Sequence, residues 1–190
     1  MKIILMRHGE TVWNTQRRLQ GCRDIPLTET GKEQIRIAGC RLAAQDLHID
    51  HIVSSPLERA YESAQIVAEA LGHPITAITT SPFFLERSFG VCEGMTYEEA
   101  TEQYPDGQYP GMETLDQLYD RAAQGLKWLE ANYSDQTVLV TSHGAFIKAA
   151  LGIASAGKIA YFDKDIWIDN GDCCTLEKTE SAWTVSVSKH

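Results

Sequence analysis

Positive charge is scarce in this chain. Its 190 residues carry 17 Lys and Arg against 26 Asp and Glu, for a formal net charge of −9 at pH 7. A nucleic acid or an anionic membrane surface is therefore not an expected partner. An acidic chain that binds an anion must gather its few cations in one place, so the positions of individual arginines are informative. Long apolar runs are missing too, and no stretch is suited to span a bilayer. The apolar residues between Lys2 and Arg7 are too few for the core of a signal peptide. The five cysteines, Cys22, Cys40, Cys92, Cys173 and Cys174, are odd in number and form no C-x-x-C, which argues against a disulfide framework or a zinc knuckle. A reduced, cytoplasmic protein is expected. One local absence matters later: residues 88–120 contain no Lys, Arg or His.

What is present is an ordinary globular composition, 43% hydrophobic and 23% charged, with length enough for one domain and a full-sized core. Residues 3–6 form an apolar run without alternation, as in a strand buried on both faces. Residues 11–24 are polar and aperiodic and read as a loop. Pro26-Leu27-Thr28 leads into a helix capped by Thr28 or Thr30, the latter with capping-box spacing to Glu33. Ile35, Ala38, Leu42 and Ala43 follow helical spacing. Residues 51–55 read as a second buried strand. Pro56 opens a helix whose inner face is Ala60, Ala64, Val67, Ala68 and Leu71, and residues 74–79 alternate weakly as a third strand. Residues 81–114 are irregular apart from a short acidic helix around 97–104, and read as a covering insertion. Leu115, Leu118, Tyr119, Ala122, Leu126 and Leu129 mark an amphipathic helix. Residues 137–140 give a fourth buried strand, residues 146–151 a further helix, and 173–179 with 183–188 an antiparallel edge hairpin. The expected architecture is a single α/β domain over residues 1–190, a three-layer α/β/α sandwich around a mostly parallel sheet with an antiparallel edge.

Strand ends carry the polar residues. The first strand gives Arg7-His8-Gly9, the second Ser54-Ser55-Pro56 with Arg59 one turn into its helix, and the fourth Ser142-His143-Gly144. Ligands of open parallel sheets bind beyond the carboxyl ends of the strands. If these strands are neighbours, a pair of histidines and a pair of arginines converge, a grouping suited to a phosphoryl group. Guanidinium forks match phosphate oxygens, one imidazole can attack phosphorus, and the other can hydrogen-bond the transferring oxygens.

The chain resembles the histidine phosphatase superfamily, also called phosphoglycerate-mutase-like, over nearly its whole length. The resemblance rests on Leu5-Met6-Arg7-His8-Gly9-Glu10-Thr11-x-x-Asn14, Leu27-Thr28-x-x-Gly31, Ser54-Ser55-Pro56-Leu57-x-Arg59-Ala60, Leu85-Glu86-x-x-Phe89-Gly90-x-x-Glu93-Gly94 and Val140-x-Ser142-His143-Gly144, in that order. It implies that His8 is the nucleophile that becomes phosphohistidine. Arg7, Arg59 and His143 would cradle the phosphate, with Asn14, Gln20 and Gly21 adding hydrogen bonds. Glu86 would protonate the leaving alcohol and then activate water. Phe83, Phe84, Leu85 and Phe89 surround Glu86 in sequence, and apolar surroundings favour a protonated carboxyl while arginines oppose it. The chemistry calls for no metal and no cofactor. His48 and His51 straddle a loop rather than offering a metal site, and His73 and His190 read as surface residues. Glu10 is expected to support its loop, Glu93 to be structural as readily as catalytic, and Arg17, Arg18 and Arg23 to lie on a solvated loop face.

Mutases of this family carry a longer, basic insertion, which suits a second anion. Here the cover supplies Phe89, Met95, Tyr97, Tyr104, Tyr109 and Met112, while Glu93, Glu98 and Glu102 would repel one if they face the pocket. Phe89 and Tyr97 are thus candidate substrate-binding residues. The expectation is a small phosphatase of the superfamily, either broad in specificity or specific for α-ribazole phosphate. It would act on small-molecule phosphate esters, favour a neutral leaving group and work as a monomer or homodimer. A cofactor-dependent phosphoglycerate mutase is the alternative.

Overall fold

The computed structural model describes residues 1–45, 47–179 and 182–187. Its strands are β1 (Lys2–Arg7), β2 (His51–Ser54), β3 (Thr79–Thr80), β4 (Thr137–Ser142), β5 (Cys173–Lys178) and β6 (Trp183–Val187). They form one six-stranded sheet in the order β3-β2-β4-β1-β5-β6. Pairing is parallel from β3 to β1, and antiparallel between β1 and β5 and between β5 and β6. The helices are α1 (Val12–Thr15), α2 (Glu29–Ala43), α3 (Glu58–Leu71), α4 (Tyr97–Gln103), α5 (Leu115–Asn132) and α6 (Gly144–Ala154). Among the described residues no helix is long and apolar enough to cross a membrane.

Strand alternation sorts the core into two layers. Ile3, Leu5, Val138 and Val140 meet Leu118, Ala122, Leu126 and Leu129 of α5 and Phe146 and Ala150 of α6. Ile4, Met6, Ile52 and Leu139 meet Ile35, Ala38 and Leu42 of α2 and Ala64, Val67 and Ala68 of α3. The three-layer α/β/α sandwich follows, with the antiparallel hairpin at one edge.

Local chemistry departs from the simplest sequence reading at several points. The loop at 11–24 contains one helical turn, α1, closed by a capping box between Thr11 and Asn14. Thr28, not Thr30, caps α2: its hydroxyl accepts from Gly31 N at 3.0 Å and donates to Glu10 Oε1 at 2.8 Å. Glu33 instead pairs with Arg36, and Ala43 is exposed. Leu57 at the cap position of α3 offers no side-chain cap, and Asp24 Oδ1 accepts from Glu58 N at 2.7 Å in its stead. The expected strand over 74–79 shrinks to β3, because Pro74 starts a 3-10 turn at Ile75–Ala77. What remains is a two-residue edge strand, short enough to resist pairing with another chain. Of the hairpin expected to reach Ser188, β6 is described to Val187, and Ser188 and His190 lie outside the described residues.

A backbone contact fixes the end of β1 against α2. A Cβ on Gly9 would sit 2.3 Å from Gly31 O, and one on Gly31 would sit 2.1 Å from Glu10 O. Both neighbours are backbone and cannot swing aside. Gly31→Ala is therefore expected to lower unfolding stability by about 1–3 kcal/mol, the range for forced overpacking. Urea denaturation measures it, and an unchanged midpoint would show that the two segments can part without loss.

Candidate active site

The register of the central strands brings the polar strand ends level. Arg7 pairs with Ser142 and Ser54 with Thr141, so His8, His143 and Ser55 each follow their strand at one edge of the sheet. His8 N donates to Ser142 O at 3.0 Å and Ser55 N to Thr141 O at 3.0 Å, which extends the ladders by one residue. Both histidines are buried, with ring centroids 5.1 Å apart. Arg59, in the first turn of α3, is fully buried beside them.

Hydrogen bonds hold both imidazoles and assign the tautomer of His8. His8 Nδ1 lies 2.7 Å from Gly9 O, an acceptor only, so Nδ1 carries the proton and Nε2 presents its lone pair. Arg59 Nε donates to that Nε2 at 3.2 Å, while its Nη1 and Nη2 donate to Arg23 O at 2.7 Å and Gly21 O at 2.8 Å. Ser55 Oγ is 2.8 Å from His143 Nε2 and accepts from Leu57 N, so the serine holds the ring in place by a hydrogen bond at Nε2. His143 Nδ1 is buried without a hydrogen-bond partner among the described residues, as is Arg7 Nε. Arg7 Nη1 donates to Ile168 O at 2.7 Å.

Electrostatics agree with neutral rings. Burial first, then Arg59, push the pKa of both histidines well below 6.5, with Arg7 adding to the effect. Burial also draws both arginines below their ordinary value, opposed by the Glu86 carboxylate. Glu86 lies across the cleft, where Oε1 accepts from Arg87 N at 2.9 Å and from Ala145 N at 3.2 Å in the first turn of α6. A helix N-terminus suits a negative charge. Of the phenylalanines near Glu86 in sequence, Phe84 points into the core against Phe146, Phe83 packs on Trp128, and Phe89 lines the cleft with Glu86.

These residues open onto a cleft of about 1210 Å3. Asn14, Gln20, Gly21, Phe89 and Tyr97 all line it together with Arg7, His8, Arg59 and Glu86, while His143 is buried with its ring centre 5.1 Å from that of His8. Asn14 Oδ1 is engaged in the α1 turn. Gly21 (φ 53) serves Arg59 through its carbonyl, and a Cβ there would strike the Glu93 carboxylate at 2.0 Å.

The lining of the mouth corrects two expectations. Glu93 does not face a ligand: Oε1 accepts from Cys22 N and Phe89 N, and Oε2 pairs with Arg23 at 3.6 Å. Glu98 and Glu102 lie in a separate shallow depression with Tyr97 and Thr101. Conversely, Arg17 and Arg18 both line the cleft, Arg18 half-buried there and Arg17 at its solvent-exposed rim. Arg17 takes a left-handed backbone (φ 55), and Arg18 Nη1 donates to Gly94 O at 2.6 Å. Glu10 supports its loop through Thr28, as expected.

Sequence reasoning missed several contributors. Arg121 on α5 holds the Glu86 segment by donating to Phe83 O and Leu85 O and pairing with Glu113 at 2.7 Å. Asn170 Nδ2 donates to His8 O at 2.9 Å. The far wall is Lys148 of α6 with Tyr161, Phe162, Trp167 and Ile168. Residues 155–172 are irregular and carry no periodic signal, while Lys148 is the one charge in an apolar helix and reads as a snorkelling side chain. His48 is exposed and faces Asp50 at 3.5 Å, and His51 packs on Tyr133, both remote from the cleft. Among the described residues no group of three His, Cys, Asp or Glu side chains could hold a metal ion.

Neutral imidazoles and guanidiniums converging at the carboxyl edge of a parallel sheet define a site for an oxyanion such as a phosphoryl group. The sequence comparison is specific about the class. Residues 3–189 match the histidine phosphatase superfamily (branch 1), and the chain belongs to that superfamily. It is 45% identical over 155 residues to the uncharacterized phosphatase PhoE of Bacillus subtilis (strain 168), covering 82% of this chain and 78% of the relative. It is 33% identical over 205 residues to phosphoglycerate mutase-like protein 4 of Arabidopsis thaliana, covering 94% of this chain and 88% of that protein. The solved structure of Bacillus stearothermophilus YhfR superposes with a TM-score of 0.88 at 25% identity, over 98% of this chain and 95% of that one.

The buried histidines make stability depend on pH. Their folded-state pKa lies below the unfolded value of about 6.5, so the unfolded chain binds more protons and stability falls as pH drops below that value. Each can contribute a slope of up to about 1.4 kcal/mol per pH unit. Denaturant unfolding at pH 7.5 and pH 5.5, in a buffer free of phosphate, should show a clear loss on acidification. A flat profile would mean that the rings take up protons as readily in the folded protein as in the unfolded chain.

Proposed function

We propose that this chain is a phosphomonoesterase that hydrolyses small-molecule phosphate esters through a phosphohistidine at His8, without metal or cofactor. The observation that carries the reading is the His8 tautomer: Nδ1–H is tied to Gly9 O, and Nε2, with its lone pair, faces Arg59 in the cleft. In the first step His8 Nε2 attacks phosphorus, the bond from phosphorus to the ester oxygen breaks, and Glu86 gives its proton to the leaving alkoxide. Arg59 Nε–H exchanges His8 for a phosphoryl oxygen as the new bond forms. Arg7 and His143 stabilise the remaining oxygens, and Asn14, Gln20 and Gly21 position the group. In the second step the Glu86 carboxylate takes a proton from water, the water oxygen attacks phosphorus, and the bond from phosphorus to nitrogen breaks to restore neutral His8. Phe89 and Tyr97 contact the leaving group.

A second reading, phosphoglycerate mutase activity, is favoured by Arg17, Arg18 and Lys148, which line the cleft and can meet a second anion. The expected preference for a neutral leaving group rested on acidic residues facing the pocket; Glu93, Glu98 and Glu102 do not, whereas Asp106 and Asp116 do. Hydrolysis of an α-ribazole phosphate is one specific form of the first reading.

Mass spectrometry after alkaline quenching, which preserves phosphoramidates, should locate phosphate on His8, and His8→Ala should abolish turnover. Full activity in that variant would end the mechanism. Arg59→Ala should lower kcat by about 100-fold or more, as for a removed transition-state donor, whereas a change in KM alone would make it a uniform binder. Hydrolysis should survive exhaustive EDTA dialysis. With 2,3-bisphosphoglycerate as primer, isomerisation of 3-phosphoglycerate faster than its hydrolysis would decide for the mutase.

A further inference from the structure

Lys148 projects from α6 into the wall of the cleft, close enough for Arg7 to act on it. It is only partly exposed, and burial, with the Arg7 guanidinium, draws its ammonium below the usual lysine value. Asp163 is the carboxylate that opposes this, and among the described residues none lies within ion-pair distance of Nζ. Instead Nζ sits 5.7 Å from the centre of the Trp167 ring. Trp167 is 70% exposed, yet it is not loose: its Nε1 donates to Asp169 Oδ1 at 2.7 Å. The next residue, Ile168, receives Arg7 through its carbonyl. The indole is thus fixed to the same strip of chain that anchors the phosphate-binding arginine.

Other basic residues at the cleft are already engaged. Arg18 is committed to Gly94 O and Glu99, and Arg87 to Glu113 O. Arg7 and Arg59 are positioned for the transferring group. Arg17 is exposed to solvent, where its charge is screened. Lys148 is the partly desolvated cation that neither the fold nor the phosphoryl transfer uses. A cation so placed attracts an anion more strongly than an exposed one, and the ring face steadies it without neutralising it.

We propose that Lys148, seated on Trp167, recognises a second anionic group on the leaving alcohol, a carboxylate or another phosphate, so that the preferred substrates are phosphate monoesters carrying a second negative charge. This rests on the phosphomonoesterase reading and narrows it to a substrate class. Phe162, 72% exposed beside Tyr161 at the cleft mouth, offers apolar surface for the body of such a leaving group.

Matched esters separate the proposal from the reading beneath it. Carboxyphenyl phosphates, meta and para, are compared with the corresponding carbamoylphenyl phosphates, which keep shape but lose the charge. The wild-type chain should favour at least one carboxylate over its amide by about tenfold or more in kcat/KM. Lys148→Met should bring that ratio to about one, chiefly through KM for the carboxylate, and Lys148→Arg should keep it well above one. Thermal unfolding of each variant checks that the fold is retained. No preference in the wild type, or a Lys148→Met variant that loses both members of a pair equally, would overturn the assignment while leaving the phosphatase intact. Hydrolysis of neither ester by the wild type would instead refute the phosphomonoesterase reading, and the assignment with it.

Discussion

Everything at this site depends on how Arg59 is buried. A guanidinium removed from water must have its donors satisfied, and here backbone carbonyls and one imidazole do so in place of a carboxylate ion pair. The charge is therefore not cancelled locally. It depresses the pKa of both histidines, keeps His8 Nε2 an acceptor, and makes the end of the sheet electropositive inside an acidic chain. The carbonyls that hold it come from the loop before α2, so the shape of that loop and the protonation of His8 are one problem. Glu93 shapes the loop in turn, through Cys22 N and a contact that only glycine permits at position 21.

The opposing wall follows a similar logic with a different chemistry. Arg121 takes the carbonyls that the turn before Glu86 leaves over, and Ser142 Oγ donates to Phe84 O at 2.8 Å. These bonds clamp a segment without regular structure between α5 and β4, so that Glu86 is presented by a rigid support although it stands in a loop. Asn170 does the same for the turn after β1.

How much of this was legible in the sequence divides by physical cause. Apolar runs marked β1, β2 and β4, and their polar ends named His8, Arg59 and His143, because buried parallel strands and the sites at their ends leave a local signal. Helical spacing found α2, α3 and α5. Where information is nonlocal, the reading failed. A charge such as Arg17, Arg18 or Glu93 can face a ligand or a backbone amide depending on how a loop folds, and no spacing rule records it. The strand expected at 74–79 failed for a local reason, since Pro74 and a 3-10 turn outweighed weak alternation. The wall at 161–168 gave no periodicity to read.

The strand order has a consequence for how the chain comes to be made. β1 is synthesised well before its neighbours in the sheet, β4 and β5. The bond from Asn170 to His8 O spans 162 positions. A nascent chain therefore carries its most apolar strand unpaired until β4 and β5 have followed it from the ribosome, and the edge that holds His8 and His143 closes only then. High contact order of this kind slows folding and lengthens exposure of a sticky segment. The arrangement that joins strands so distant in sequence at one cleft also leaves the nascent chain in need of whatever shields apolar strands in the cell.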